Sequence, residues 1–341
     1  MGRLWLNNNI LDRLAMLQQT ETGHPGINQV AIEKDWWVTV TLKALFLTEC
    51  CESLIFKGGT SLSKGFNLIE RFSEDIDLAI SHSFFGIEKT SKNQREKLRK
   101  RARAYIHDTL STQLDANLRA IGVSGYSIEN VTKEQDKNGE WRLIDSDRDP
   151  TVILLHYPSI VEETITYIPP RVKIEVSALS MDEPTESRDI HSLIEKSFEG
   201  EDTGANCKVR TVVPTRTFLE KLFLLAEEFQ KEKPRSLRMS RHLYDLERLM
   251  DTQYGCEALS DNSLYNAIVE HRRTYYALNY VDYDAHNPST INFMIPEKEM
   301  KQWETDYAEM KRSFIYGQSL EFEVLMQRIK ELQERVRNMV R

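Results

Sequence analysis

The sequence predicts an α/β N-terminal half followed by a mostly helical C-terminal half. Short apolar runs with period-2 alternation recur between residues 54 and 179, as strands with one buried face require. After residue 206 the apolar positions step by three and four instead, the pattern of helices packed through one stripe. Glu199–Asn206 (EGEDTGAN) is small, acidic and glycine-containing, so a domain boundary is expected there, dividing the chain into residues 1–203 and 204–341.

Residues 28–48 read as a helix, with Ala31, Trp37, Val38, Leu42, Leu45 and Phe46 at helical steps. Trp36 and Trp37 read as packing residues. Leu54–Phe56 is a short apolar strand that runs into Lys57-Gly58-Gly59-Thr60-Ser61, and Leu62–Ile69 reads as the next helix. Asp75–Ile80 (DIDLAI) alternates as a second strand. Residues 89–118 read as one long amphipathic helix, striped by Leu98, Ala102, Tyr105, Ile106, Leu110 and Leu114. Tyr126–Asp136 and Glu140–Asp145 flank Asn138-Gly139, a dipeptide favoured in hairpin turns. Two more strands are expected, Thr151–Tyr157 and Arg171–Leu179. The second sets Val172, Ile174 and Val176 against Arg171, Lys173 and Glu175. Helices are then expected at Thr217–Gln230, Ser240–Met250, Leu264–Leu278, Glu297–Ser313 and Ser319–Val340.

Composition narrows the classes of function. Of 341 residues, 40% are hydrophobic and 29% charged, an ordinary globular balance with enough apolar material for a core. Apolar runs such as Ala44–Leu47 and Val152–Leu155 fall far short of the roughly 20 residues that cross a bilayer. No secretory leader is read at Met1–Asn9, so no membrane role and a cytoplasmic location are expected. The cysteines Cys50, Cys51, Cys207 and Cys256 form no CxxC pair and read as reduced thiols. A net charge of −8 argues against a protein that coats nucleic acid over its whole surface. It leaves room for a local patch: residues 89–103 hold eight basic side chains and one acidic. Such a run is a solvated helix face or a surface for RNA phosphates. Lys231–Arg241, around Pro234, is a second basic stretch.

The chemistry concentrates between Phe56 and Asp77. Two glycines after a buried strand let the backbone approach a phosphate, and a helix N-terminus offers it unpaired N–H groups. Thr60 and Ser61 add hydroxyls. Aspartates two apart on a strand share a face, so Asp75 and Asp77 converge, and paired carboxylates invite a hard divalent cation such as Mg²⁺. Metal-assisted phosphoryl-type transfer needs a further carboxylate beside them. Glu175 is the candidate, mid-strand on the polar face, with an ion pair to Arg171 or Lys173 as its competing role. The segment does not match the P-loop pattern, since no GxxxxGK[ST] is present.

Lys57–Leu78 (KGGTSLSKGFNLIERFSEDIDL) resembles the G[GS]…DxD motif of the nucleotidyltransferase superfamily and, more narrowly, of the AbiEii/AbiGii toxin family. Four further blocks are similar to that family in the same order. They are Ile32–Val38 (IEKDWWV), Arg171–Leu179 with Lys173 and Glu175, Thr217–Leu225 (TFLEKLFLL) and Ser240–Asp245 (SRHLYD). Arg272–Tyr283 and Asp306–Gly317 resemble the tail of one subgroup. The resemblance implies a nucleotidyltransferase-like α/β (α+β) domain with a small mixed sheet, then a helical domain. It implies Asp75, Asp77 and Glu175 as ligands of Mg²⁺ or Mn²⁺, with Glu175 as base toward the acceptor hydroxyl. Lys57, Gly58, Gly59, Thr60 and Ser61 would hold the nucleotide, and Lys221 would meet the triphosphate. Asp245 and Arg241 would orient nucleotide or acceptor. Read from the residues alone, Lys221 is a solvated helix lysine and Arg241 with Asp245 an i,i+4 pair. His242 reads as a packing or hydrogen-bonding residue rather than a metal ligand. Glu stands at 175 where many relatives carry Asp.

The expected activity is transfer of NMP from an NTP to an acceptor hydroxyl, at the 3′ end of tRNA, by the toxin of a toxin–antitoxin or phage-abortive system. A cognate antitoxin is the expected partner. NMP transfer to a protein, and NTP binding without turnover, are the alternatives.

Overall fold

The structure is a computed structural model. It describes all residues except 1–3, 8, 88–90, 137, 163–167, 183, 199–203 and 341. It divides into two compact units, Met1–Gly65 with Ser73–Thr211 and Phe66–Phe72 with Val212–Arg341. The boundary expected at 203/204 falls partly outside the described residues, as does the expected helix start at 89.

In the first unit, helices α1 (Leu4–Asn7), α2 (Ile10–Gly23) and α3 (Gln29–Leu45) precede strand β1 (Leu54–Lys57). Helix α4 (Gly58–Lys64) follows at once, then β2 (Asp75–Ile80), α5 (Lys92–Tyr105) and α6 (Ser111–Ile121). Strands β3 (Ser127–Asn130), β4 (Lys133–Gln135), β5 (Trp141–Leu143), β6 (Thr151–His156), β7 (Arg171–Ser177) and β8 (Thr185–Ile190) come next, then α7 (Leu193–Ser197) and β9 (Cys207–Val212). Seven strands form one mixed sheet in the order β3-β6-β7-β2-β1-β9-β8, while β4 and β5 pair as a separate hairpin at Asn138-Gly139. Strand β2 runs parallel to β7 and antiparallel to β1, and β1 runs parallel to β9. The central strands bury Ile55, Phe56, Ile76, Leu78, Val172, Ile174 and Val176 completely.

Helix α3 packs against α2, α6, α7 and the sheet strands β2 and β7. It is buried on nearly every side, which explains its weak amphipathic pattern. Trp36 meets Trp37 edge-on, and Trp37 stacks on Tyr157 with ring centroids 4.8 Å apart. Both tryptophans are packing residues, as expected.

Several elements differ from the sequence reading. The helix expected at Leu62–Ile69 begins four residues earlier, because Gly58 itself opens it. The helix expected to 118 runs to Ile121 and is interrupted by a π-helical turn, Ile106–Leu110. There the His107 carbonyl accepts from Ser111 Oγ at 2.7 Å and from Asn130 Nδ2 at 3.0 Å, bonds that compete with the regular helical ladder. Strand β8 escaped notice because its sequence, TESRDI, is polar as an edge strand permits. Strand β9 carried a readable signal: Val209 and Thr211 point inward between Lys208 and Arg210.

The second unit contains α8 (Pro214–Glu228), α9 (Ser240–Met250), α10 (Gln253–Ser260), α11 (Asn262–His271), α12 (Met300–Ser313) and α13 (Phe322–Arg337). Helix α8 packs on α9, α10 and α11, and α9 on α12 and α13. Phe218, Phe223, Tyr265, Phe293, Trp303 and Ile329 are its fully buried centre. The helix expected at Leu264–Leu278 is the end of a pair, α10 and α11, closed by a π turn at Arg272–Tyr276. In that turn the Arg272 guanidinium lies buried on Glu227. All four cysteines are free thiols, and no helix among the described residues is long and apolar enough to cross a membrane.

Candidate active site

The parallel register of β2 and β7 pairs Asp75 with Lys173 and Asp77 with Glu175. Alternation turns Ile76, Leu78, Ile174 and Val176 into the core and leaves Asp75, Asp77, Lys173 and Glu175 half-buried on the other face. Three carboxylates and one ammonium therefore share a patch two strands wide, with neighbouring backbones about 4.8 Å apart. Lys57 extends the row, standing opposite Asp77 on β1 and donating to Ser180 Oγ at 2.8 Å. Lys173 lies 2.8 Å from Glu175 Oε1, the ion pair that competed with a ligand role in the sequence.

Gly58 locks this patch to α4. Its φ of +82° is one that L side chains rarely adopt, and a Cβ there would stand 2.2 Å from Asp77 Oδ2. The Asp77 carboxylate thus sits directly against the backbone where α4 begins, in space that only glycine leaves open. Thr60 and Ser61, expected to offer hydroxyls to a phosphate, are both fully buried. Thr60 Oγ1 donates to the Asp75 carbonyl and lies 2.8 Å from Ser73 Oγ, while Ser61 Oγ donates to Gly58 O at 2.8 Å. These hydroxyls shape the turn and fix the first residue of β2. Gly59 is half-buried in the first turn of α4, where backbone N–H groups lack intrahelical partners.

A second charged cluster lies in the helical unit. Asp245 on α9, completely buried, accepts from Arg71 Nε and Nη2, both at 2.7 Å, and lies 2.8 Å from Lys221 Nζ on α8. Burial alone would raise the Asp245 carboxyl, but the Arg71 guanidinium and Lys221 ammonium hold it far below the usual carboxylate range. Burial lowers the Lys221 ammonium, and Asp245 offsets part of that. His242 is buried, and the lack of solvent, with Lys221 and Arg241 nearby, keeps its imidazole well below its ordinary value. The solvated reading of Lys221 is overturned, since the side chain is buried. Asp245 takes Arg71 and Lys221 as partners, and Arg241 is half-buried beside them on α9. Arg71 went unnoticed in the sequence. It sits inside the spacer between the glycine and aspartate motifs, and no spacing rule marks it.

The structure thus gathers Asp75, Asp77, Glu175 and Lys57 on one sheet face with Gly58 against Asp77, and Lys221 with Asp245 in the helical unit. Among the described residues no three His, Cys, Asp or Glu side chains converge as an ion cage, and Glu175 turns to Lys173 instead. The donor set nonetheless fits a hard cation. Asp75, Asp77 and Glu175 all offer carboxylate oxygens, the register sets Asp77 beside Glu175, and Asp77 Oδ2 lies against Gly58.

A family model described as the nucleotidyl transferase AbiEii toxin of type IV toxin–antitoxin systems matches residues 41–332. The match begins after Ile32–Val38, so that block stands on resemblance alone. No curated protein matches the sequence. Among solved structures the chain is similar to MenT4, a nucleotidyltransferase toxin from Mycobacterium tuberculosis H37Rv. Identity is 13%, covering 96% of this chain and 98% of that one, with a TM-score of 0.39.

Proposed function

The chain belongs to the AbiEii nucleotidyl transferase toxin family of type IV toxin–antitoxin systems, and on that premise we propose that it moves NMP from an NTP to the 3′ hydroxyl of a tRNA, using a divalent cation held by Asp75, Asp77 and Glu175. The observation that carries this reading is the Asp77–Glu175 register beside the Gly58 cradle. Mg²⁺ or Mn²⁺ bound there supplies charge neutralisation at the reacting phosphate and acidifies the acceptor hydroxyl.

The protein's own groups do the rest. Gly58 and Gly59 let the backbone N–H groups at the start of α4 meet the triphosphate, with Lys57 as a nearby positive charge. Thr60 and Ser61 hold that turn in shape from inside. Glu175 leaves Lys173 and accepts the acceptor hydroxyl proton as the oxygen attacks the α-phosphorus, and pyrophosphate departs. To the helical unit we assign Lys221, whose ammonium answers triphosphate charge, and Asp245 with Arg241, which orient nucleotide or acceptor. We assign the enzyme to the cytoplasm, with an antitoxin made by the same system restraining its effect.

The test is incubation of purified protein with Mg²⁺, each α-³²P-labelled NTP in turn, and total bacterial RNA or lysate. Label on a tRNA-sized band, lost in Asp75→Ala, is the expected result. Label on protein instead would move the acceptor to a protein hydroxyl. NTP binding without label on either polymer would leave a binding protein.

A further inference from the structure

Helix α3 carries Glu33, Lys34 and Asp35 in sequence, and all three are buried in mid-helix, with Lys34 only 2% exposed. Consecutive buried charges are costly unless each finds a partner. Each does, and the partners of the three lie on different parts of the unit. Glu33 accepts from Ser159 Oγ at 2.6 Å and from Ile160 N at 3.0 Å. Asp35 accepts from the Lys64 ammonium at the end of α4 and from Leu193 N, at 2.7 Å, at the start of α7. Lys34 Nζ lies 2.6 Å from Glu74 Oε2 and donates to the Pro169 carbonyl at 3.0 Å.

The place of the Lys34 contacts is what matters. Glu74 is the residue before β2, and Pro169 lies two residues before β7. The strands are parallel, so both contacts sit at the same end of the pair that carries Asp75, Asp77 and Glu175. Asp75 is the first residue of its strand, and the Asp77 and Glu175 carboxylates stand opposite one another on adjacent strands, where like charges repel. We propose that Lys34 is a positioning residue of the nucleotidyl transfer site, tying the starts of β2 and β7 together so that Asp77 stays beside Glu175 when a cation and nucleotide arrive. The inference rests on the carboxylate reading above. Fixing register is the best-attested use of a buried ion pair, whose net contribution to stability is small. Thr60 adds a second hold on the start of β2, through the Asp75 carbonyl. Asp35 holds the far end of the helix that Gly58 opens. One turn of α3 therefore braces both parts of the carboxylate patch.

The test uses the full chain and reads Mn²⁺ binding by the EPR signal of the free ion, alongside melting temperature, kcat and KM for NTP. Lys34→Met with Glu74→Met removes both charges together. This variant is expected to melt within about 5 °C of the wild type, yet to bind Mn²⁺ about tenfold more weakly and lose about tenfold in kcat with KM little changed. Glu74→Gln keeps an acceptor for the Lys34 ammonium and should stay within about threefold of wild type in Mn²⁺ affinity, because outer ligands act through the geometry they hold. If the double variant does not fold, Glu74→Gln alone decides, and a folded Glu74→Gln protein that bound Mn²⁺ about tenfold or more weakly would overturn the proposal. It is also overturned if the double variant binds Mn²⁺ and turns over like wild type while Asp77→Asn has lost both. Should Asp77→Asn itself keep full binding and transfer, the carboxylate reading fails first, and the clamp fails with it.

Discussion

At Gly58 a methyl group would have to share space with the Asp77 carboxylate, 2.2 Å away, on a backbone with φ of +82°. The strain of placing an L residue there is about 1–2 kcal/mol. The larger consequence is displacement of Asp77, since misplacing a reacting group by about 1 Å costs on the order of a hundredfold in rate. Gly58→Ala should therefore lower NMP transfer about a hundredfold while the melting temperature drops only by several degrees. Wild-type transfer in a folded Gly58→Ala protein would show that Asp77 does not need this cradle. The residues of this contact were legible in the sequence as two motifs, the glycine pair and Asp75-x-Asp77. Their direct contact was not, because it depends on the antiparallel register of β1 and β2, which sets Lys57 opposite Asp77. The bonds of Thr60 and Ser61 were hidden too. A hydroxyl beside a glycine pair reads as a phosphate donor until burial shows it bonded to backbone carbonyls.

Between elements, the least legible feature is the cluster that joins Arg71, Lys221 and Asp245. Sequence patterns place Lys221 on an amphipathic helix and Asp245 four residues after Arg241, so local rules favour a solvated lysine and an i,i+4 pair. Packing of α8 on α9 brings Lys221 to Asp245, and residues 66–72 supply Arg71 from 174 positions away in sequence. Pairing across that distance leaves no periodic trace. Asp245→Asn would leave Arg71 and Lys221 buried without their counter-charge, at a cost of about 3–5 kcal/mol. The pH dependence has a definite sign. Because the folded carboxyl is held far below its unfolded value, Asp245 contributes its stability in full above about pH 4 and loses it as pH falls further. Denaturant melts should show a wild-type advantage over Asp245→Asn that is constant from pH 7 to about pH 4 and shrinks at lower pH. An advantage that grew on acidification would contradict the pairing. Elements governed by short-range pattern were easier to read. β2 and α9 fall at their expected bounds, whereas the π turns at Ile106–Leu110 and Arg272–Tyr276 interrupt or end helices without changing the apolar spacing that announces them.

For the molecule as a whole, the question is how an acidic chain of net charge −8 would hold a polyanion. The basic run on α5 is the available surface, but the structure removes several of its charges from that role. Arg103 is buried and donates to the Val131 carbonyl, and Arg99 lies 3.0 Å from Asp147. Arg101 donates to the Phe85 carbonyl, and Lys100 pairs with Glu96. Reversing Arg103 would therefore disturb the fold before it tested RNA. Lys92 and Lys97 are exposed and are the better probes. If α5 carries RNA phosphates, Lys92→Glu with Lys97→Glu should weaken labelling of RNA and leave KM for NTP unchanged. It should also flatten the plot of log affinity against log salt by about 0.7–0.9 for each phosphate no longer neutralised. A general electrostatic effect of two extra negative charges would weaken binding too, so the control is a pair of reversals on other helices, Lys301→Glu with Lys330→Glu, where both side chains are exposed. A salt slope that falls only for the α5 variant assigns the phosphate binding to that helix. Equal slopes in the two variants would reduce α5 to a solvated face and send the search for the acceptor surface elsewhere.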